Sequence, residues 1–325
     1  MIEPADSDSG TVIEGFFNWG PGVVVTGDCL GQSYQTKLAN RRLTVTMPSF
    51  DGTVVVEPPL IYKRPDSWVD VDPPNPWGEL RSWNKADNRS TVPQSVCVKR
   101  VRIRVWVKDV ETTDVGLGPQ LDQALSPWWD ALSSWIEVLT GQDLAALGDR
   151  RPKKPQTFHL WSGNPDGTMR PLAMMLYGSI YPNINVLTSQ GLQACLCAVA
   201  REQSPPPERL HLSDARSLHN DGQWRRAVID AATAAEVAIT SWLDNRLSTA
   251  EPEVKSALLQ SPRTLGRLHR LYTQLGGELP SQFDQRVVTP RNRAAHRGMP
   301  LTAEESAAAI EATQALLDAA NPIVL

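Results

Sequence analysis

The sequence predicts an α+β protein: a β-rich mixed N-terminal domain followed by a C-terminal all-α bundle of four or five helices. Three observations predict it. Runs rich in β-branched residues, bounded by Gly, Asp and Pro, fill the first hundred positions. The stretch SPPPER (204–209) sets three consecutive prolines where a helix cannot continue and a stiff spacer is favoured. After it, apolar residues recur only at the three- and four-residue steps of helices. The chain therefore divides into a flexible tail (1–10), a mixed β-rich domain (11–203) and a helical domain (208–325).

Composition sets the outer limits. The 325 residues suffice for two domains with real cores, and 41% hydrophobic with 21% charged content describes a globular chain. A net charge of −4 gives no overall field for nucleic acid, so any such contact must be local. The start, MIEPADSDSG, lacks the basic and apolar parts of a signal peptide, and no apolar run reaches membrane-span length. Cys29, Cys97, Cys195 and Cys197 have neither disulfide-framework density nor zinc spacing. They read as small buried or half-buried thiols in a reducing cytoplasm. No metal or cofactor motif stands out.

The expected strands are TVIEGFF, GVVVTGD, RLTVTM and GTVVVEP. The segment running from Pro58 through Trp68, Trp77 and Trp83 to Ser90 mixes Pro, Asp, Asn and Trp without a period and reads as a long surface excursion. Its tryptophans either stack a ligand or pin the loop to the core, and the second reading is favoured. SVCVKRVRIRVWV is the clearest strand, with Val101, Ile103, Val105 and Val107 alternating with Arg100, Arg102 and Arg104. That Arg row either tracks a phosphate backbone or, as favoured, forms a solvated face balanced by acidic neighbours such as those in DVETTD.

Ser126 and Pro127 are expected to open a helix, WWDALSSWIEVLTG, with Trp128, Leu132, Trp135, Ile136 and Leu139 on its apolar face and Gly141 as its stop. GDRRPKKP (148–155) is a basic connector. QTFHLWSG and NINVLT are expected strands flanking the turn signal NPDG, with His159 a structural residue. SQGLQACLCAVAREQ reads as a helix capped by Ser189.

In the helical domain, the segment from about Gly222 to Leu247 carries a stripe of Trp224, Val228, Ala231, Ala235, Ala238 and Trp242, whose small members permit close helix packing. TLGRLHRLYTQL ends at Gly276-Gly277. Thr302 and Glu305 form a capping box for the last helix. Between them lies TPRNRAAHRG (289–298): Thr289 as N-cap, Pro290 at the first helical position, and Gly298 as terminator. Asn292 and His296, four apart, share a face, and the long side chain of Arg291 reaches toward them. Imidazoles titrate near neutral pH and guanidinium is a fixed cation, a reasonable kit for chemistry on a phosphodiester.

The run Arg291, Asn292, Arg293-Ala294-Ala295, His296 resembles the motif of the HEPN superfamily of helical domains, an Arg followed by a polar residue and, after a short gap, a His. The Ala-rich helix upstream and the last helix downstream are similar to those of that superfamily, over roughly 208–325. A second Arg–His pair, Arg263 and His269, also fits the spacing, but His269 lies among Leu265, Leu268, Tyr272 and Leu275 in an apolar helical stripe.

The resemblance implies a metal-independent endoribonuclease without cofactor, acting on RNA as a homodimer through its helical domain. His296 would be general acid or base, Arg291 would hold the scissile phosphate, and Asn292 would orient His296 or donate to a phosphate oxygen. Arg293 and Arg297 would bind flanking phosphates or form a solvated face. Glu236, on the long helix, would be a partner for Arg291. The implied context is a cytoplasmic toxin or antiviral-defence effector, with the N-terminal domain as sensor answering to a regulatory protein or ligand. Alternatives are a catalytically silent dimerisation or RNA-binding module, and an enzymatic front domain scaffolded by the helices.

Overall fold

The computed structural model describes residues 11–52, 54–58, 77–82, 94–107, 117–144, 157–163, 169–176, 185–259, 264–297 and 299–323. The tail 1–10, Trp68, Trp83, the connector 148–155, Arg263 and Gly298 lie outside the described residues, as do the side chains of His159 and Arg297. An antiparallel β-sheet region is followed by a helical region, and the chain is α+β. By contacts it forms two compact units: 1–145 with 185–213 and 321–325, and 146–184 with 214–320.

In the first unit, β1 (Thr11–Thr26), β2 (Ser33–Leu38), β3 (Arg41–Thr46), β6 (Gly78–Ser82) and β7 (Ser95–Val107) form an antiparallel sheet ordered β1-β7-β3-β2, with β6 also on β7. A short pair, β4 (Ser49–Phe50) and β5 (Val55–Val56), accompanies it. The two expected strands TVIEGFF and GVVVTGD are thus one. The register against β7 slips between Asn18 and Val23, where Gly22 takes φ +92°. A Cβ on Gly22 would stand 2.6 Å from Cys97 Sγ, so only glycine fits this close approach. SYQTKL of β2 has little β-branched content to mark it as a strand, although Tyr34, Thr36 and Leu38 alternate inward with polar neighbours outward.

β7 turns Val101, Ile103, Val105 and Val107 into the core, as its alternation predicts. The Arg row on its other face is not solvated. Arg102 is 2% exposed, ion-paired with Glu57 and with Glu14 at 3.5 Å, while Arg104 Nε donates to Glu14 at 3.1 Å. Arg100 lies over the Phe16 ring and Arg102 over Trp77. Balancing acids come from a neighbouring strand and loop, while DVETTD lies outside the described residues. Trp77 is buried and its carbonyl accepts from the Lys99 and Arg100 amides, so here the tryptophan does pin its segment to the sheet.

Against the apolar face lie α1 (Leu117–Thr140) and α2 (Ser189–Ala200). Helix α1 starts nine residues before Ser126, which therefore does not cap it, and Pro127 is interior. The overlooked signal is Leu117 and Leu121, which extend the buried stripe of Trp128, Leu132 and Trp135 backward. Their burial offsets a proline cost of about 3 kcal/mol. Gly141, φ +73°, ends the helix. The cap of α2 is Thr188, whose hydroxyl accepts from the Gly191 amide at 3.1 Å; Ser189 is already helical. Burial raises the thiols of Cys29 to about 11 and Cys195 to about 12, which keeps both protonated.

In the second unit, β8 (Thr157–Gly163) pairs with β9 (Met169–Leu176), so NPDG is flanked by MRPLAMML and not by NINVLT. Pro171 sits where the ladder is irregular, which is where a strand accommodates one. Among the described residues of NINVLT, only Leu187 bridges, to Val25, within the first unit.

Six helices follow: α3 (Pro207–Asn220), α4 (Trp224–Arg246), α5 (Pro252–Leu259), α6 (Leu265–Gln274), α7 (Thr289–Arg297) and α8 (Ala303–Ala320). The expected stripe of α4 is buried from Val228 through Ala238, against Ala309, Ala312 and Leu316 of α8. Small residues let these helices approach until Thr313 Oγ1 donates to the Ala231 carbonyl at 3.3 Å. The capping box closes α8 as predicted: Thr302 N donates to Glu305 Oε2 at 3.0 Å, and Glu305 N to Thr302 Oγ1 at 3.2 Å. Among the described residues no helix is long and apolar enough to cross a membrane.

Candidate functional site

Helix α7 is set in place by what precedes it. The chain enters through a π-turn, Asp284–Val288, with Phe283 and Val287 buried in a cluster with Leu268, Tyr272 and Leu316. Thr289 has φ −64° and ψ −50°, a helical conformation, so it is not an N-cap. Burial of Val287 draws the helical path one turn further back than the Thr-Pro cue indicates. His269, the other histidine of the Arg–His spacing, is buried, 3.5 Å from Asp284 Oδ1 and edge-on to Phe283. It is a core residue.

Ala294 anchors α7 with Val228 of α4, and with Leu301 and Ala309 around α8. Arg291 lies 3.5 Å from Glu236 Oε1 on α4 and donates from Nη1 to Asn292 Oδ1 at 3.3 Å. The pairing of Glu236 with Arg291 is therefore present. Glu236 Oε1 is cut off from solvent and has no hydrogen bond, so its compensation is charge at a distance. Burial raises this carboxyl above the ordinary range, while Arg291 and a backbone hydrogen bond to Leu265 oppose the rise.

Asn292 and His296 are both exposed and share a face one turn apart. Among the described residues none hydrogen-bonds the His296 imidazole. Five residues rotate an ideal helix by about 140° beyond a full turn, so Arg291 faces α4 while His296 faces outward. Arg293 is ion-paired with Glu305, the capping-box residue. That backbone bond to Thr302, with Arg293 in support, holds the Glu305 carboxyl below its usual range. Among the described residues no three His, Cys, Asp or Glu converge as a metal site.

One cation was missed in the sequence. Arg225, in the first turn of α4, donates from Nε to the Ala294 carbonyl at 2.9 Å. The signal was the run Trp224-Arg225-Arg226 opening a helix, where acidic residues are the rule.

The site thus offers an unengaged imidazole, a neighbouring amide, and three arginines brought to one short helix from its own sequence and from α4. Such a set can transfer protons and hold an anion. The chain matches no protein-family profile, no characterised protein and no solved structure.

Proposed function

We propose that the chain is a metal-independent endoribonuclease of the HEPN type, acting through Arg291, Asn292 and His296. The observation that carries this reading is His296 itself: exposed, without a protein partner among the described residues, and one helical turn from Asn292. By contrast, His269 is buried 3.5 Å from Asp284 Oδ1, and His219 Nδ1 lies 3.0 Å from Ser306 Oγ.

In the reaction, the ribose 2′-oxygen attacks the adjacent phosphorus as its proton passes to a general base. The bond from phosphorus to the 5′-oxygen breaks, and that oxygen takes a proton from a general acid. His296 fills one of these roles. Arg291, oriented by Glu236, holds the phosphate and stabilises charge on its oxygens in the transition state. The products are a 2′,3′-cyclic phosphate and a 5′-hydroxyl, and DNA, which lacks the attacking hydroxyl, is spared.

Because Arg291 and His296 leave α7 on different sides, a second copy of the helical region is the natural source of the complementary group, and we take the active form to be a homodimer. Arg293 and Arg297 are assigned to flanking phosphates from their positions in the sequence beside His296. The first unit is taken as the sensor or regulator, in a cytoplasmic toxin or antiviral-defence effector.

The test is purified protein with labelled tRNA, other RNA and DNA, in EDTA, beside His296→Ala. The expected result is RNA cleavage leaving a cyclic phosphate, reduced at least about 100-fold in the variant. Intact RNA, together with no His296-dependent toxicity in cells, would replace this reading with a silent dimerisation or RNA-binding module.

A further inference from the structure

We propose that Trp224 and Arg225, at the corner where α4 begins, form the docking point for single-stranded RNA beside α7, with Arg225 gripping a phosphate and Trp224 stacking a base. The inference rests on the ribonuclease reading and assigns that site its means of holding the strand.

The three arginines at α7 are not equivalent. Arg291 faces Glu236 and Arg293 faces Glu305, so both motif-side cations are already opposed by carboxylates. Arg225 is held differently. Its Nε–H is engaged by the Ala294 carbonyl, which fixes the plane of the guanidinium against the last turn of α7. The four N–H donors on its Nη atoms lie outside that bond, and among the described residues no carboxylate pairs with it. A guanidinium anchored through one nitrogen and unopposed in charge is preorganised for a phosphate.

Trp224 is 37% exposed, which leaves part of its indole open to a ligand. Arg226 contacts the Gln223 side-chain oxygen at 2.7 Å and forms no ion pair among the described residues. Cations in a first turn are opposed by the helix dipole, and this turn contains no acidic residue. An exposed indole beside unopposed arginines is the combination that binds single strands, where each stacked base adds to affinity whatever its identity. The anchor carbonyl belongs to Ala294, two residues before His296, so a strand held here passes the end of the helix that carries the imidazole.

The experiment is fluorescence anisotropy with a labelled single-stranded RNA of about 20 nucleotides, in a His296→Ala background that keeps the strand intact. Trp224→Ala and Arg225→Gln are each expected to weaken binding about tenfold, and Arg225→Gln to lower the salt slope by about 0.7. Arg246→Gln, at the other end of α4, is the charge control and Arg225→Lys the conservative variant. Circular dichroism confirms that each variant is folded.

Equal losses for Arg225→Gln and Arg246→Gln, or unchanged affinity for Trp224→Ala, would overturn the docking point while leaving His296-dependent cleavage intact. RNA binding unaltered while Trp224→Ala dissociates a dimer would assign the patch to a protein interface instead. No binding by any version, with no cleavage by the unaltered chain, would overturn the ribonuclease reading and the docking point together.

Discussion

Glu236 of α4 and Arg291 of α7 stand 3.5 Å apart, and the carboxylate oxygen facing the guanidinium has given up water without gaining a hydrogen bond. A carboxylate placed this way orients a cation more than it stabilises the fold, because desolvation outweighs the attraction in setting its pKa.

Glu236→Gln tests both halves of that statement. Loss of the orienting charge should lower kcat/KM for RNA about tenfold while leaving His296 in place. For stability, the raised folded pKa means that the folded chain holds this proton more tightly than the unfolded one, whose reference value is 4.5. The contribution is therefore full below about 4.5 and is lost as the pH rises through the folded value. The thermal midpoint of the unaltered chain minus that of Glu236→Gln should fall as the pH rises above 4.5, by about 2–4 °C for each ~1 kcal/mol. A difference that grew with pH would show that attraction to Arg291 is the larger effect.

Arg102 gives the largest expected loss in the sheet. It is buried between Glu14, itself nearly inaccessible, and Glu57. Removing one partner of an isolated buried pair costs about 3–5 kcal/mol, but here Glu14 keeps Arg104 at 3.1 Å and Glu57 is partly exposed, so the loss should fall below that range. Arg102→Leu should show that loss in urea unfolding. The double variant with Glu14→Gln should lose less than the sum of the two single losses, and strict additivity would mean that the two charges are uncoupled.

What the sequence made legible follows from the range over which each signal acts. The capping box Thr302–Glu305, the stop at Gly141 and the alternation of β7 are decided within a few residues, and all three stand in the structure. Pro127 inside α1 and the π-turn before Thr289 depend on whether distant residues bury Leu117, Leu121 and Val287, which no local propensity reports. The same holds for charge. The arginine row of β7 was visible, but Glu14 and Glu57 as its partners required the strand pairing. In the candidate site, Arg291, Asn292 and His296 could be read from one helix. Arg225 and Glu305 reach that helix from others, and only tertiary packing brings them there.

The capping box supplies a local test. Thr302→Ala removes the hydroxyl that accepts the Glu305 amide, at a cost of about 1 kcal/mol, or about 2–4 °C in thermal midpoint. Glu305→Gln weakens both the cap and the hold on Arg293. The Glu305 carboxyl is depressed in the folded chain, so its contribution is present above the reference value of 4.5 and lost as the pH falls through the folded value. The midpoint difference for Glu305→Gln should accordingly be largest at neutral pH and vanish in acid. A difference independent of pH would remove charge from the account.

Two glycines, one inside α6 and one just beyond it, predict opposite outcomes. A Cβ on Gly277 would stand 2.4 Å from ring carbons of Tyr272. That ring is 2% exposed, packs edge-on to Trp242 at 4.6 Å between centroids, and donates its hydroxyl to the Glu278 carbonyl at 3.3 Å. It cannot retreat without leaving the core, so Gly277→Ala should cost about 1–3 kcal/mol. Gly266, in the first turn of α6, has nothing within 4 Å of its ideal Cβ. There alanine only restricts the unfolded chain and favours the helix, and Gly266→Ala should stabilise by about 0.5–1 kcal/mol. Urea unfolding of the two variants side by side decides it. Equal effects of either sign would mean that backbone propensity governs both positions and that the closeness of Gly277 to Tyr272 does not constrain the core.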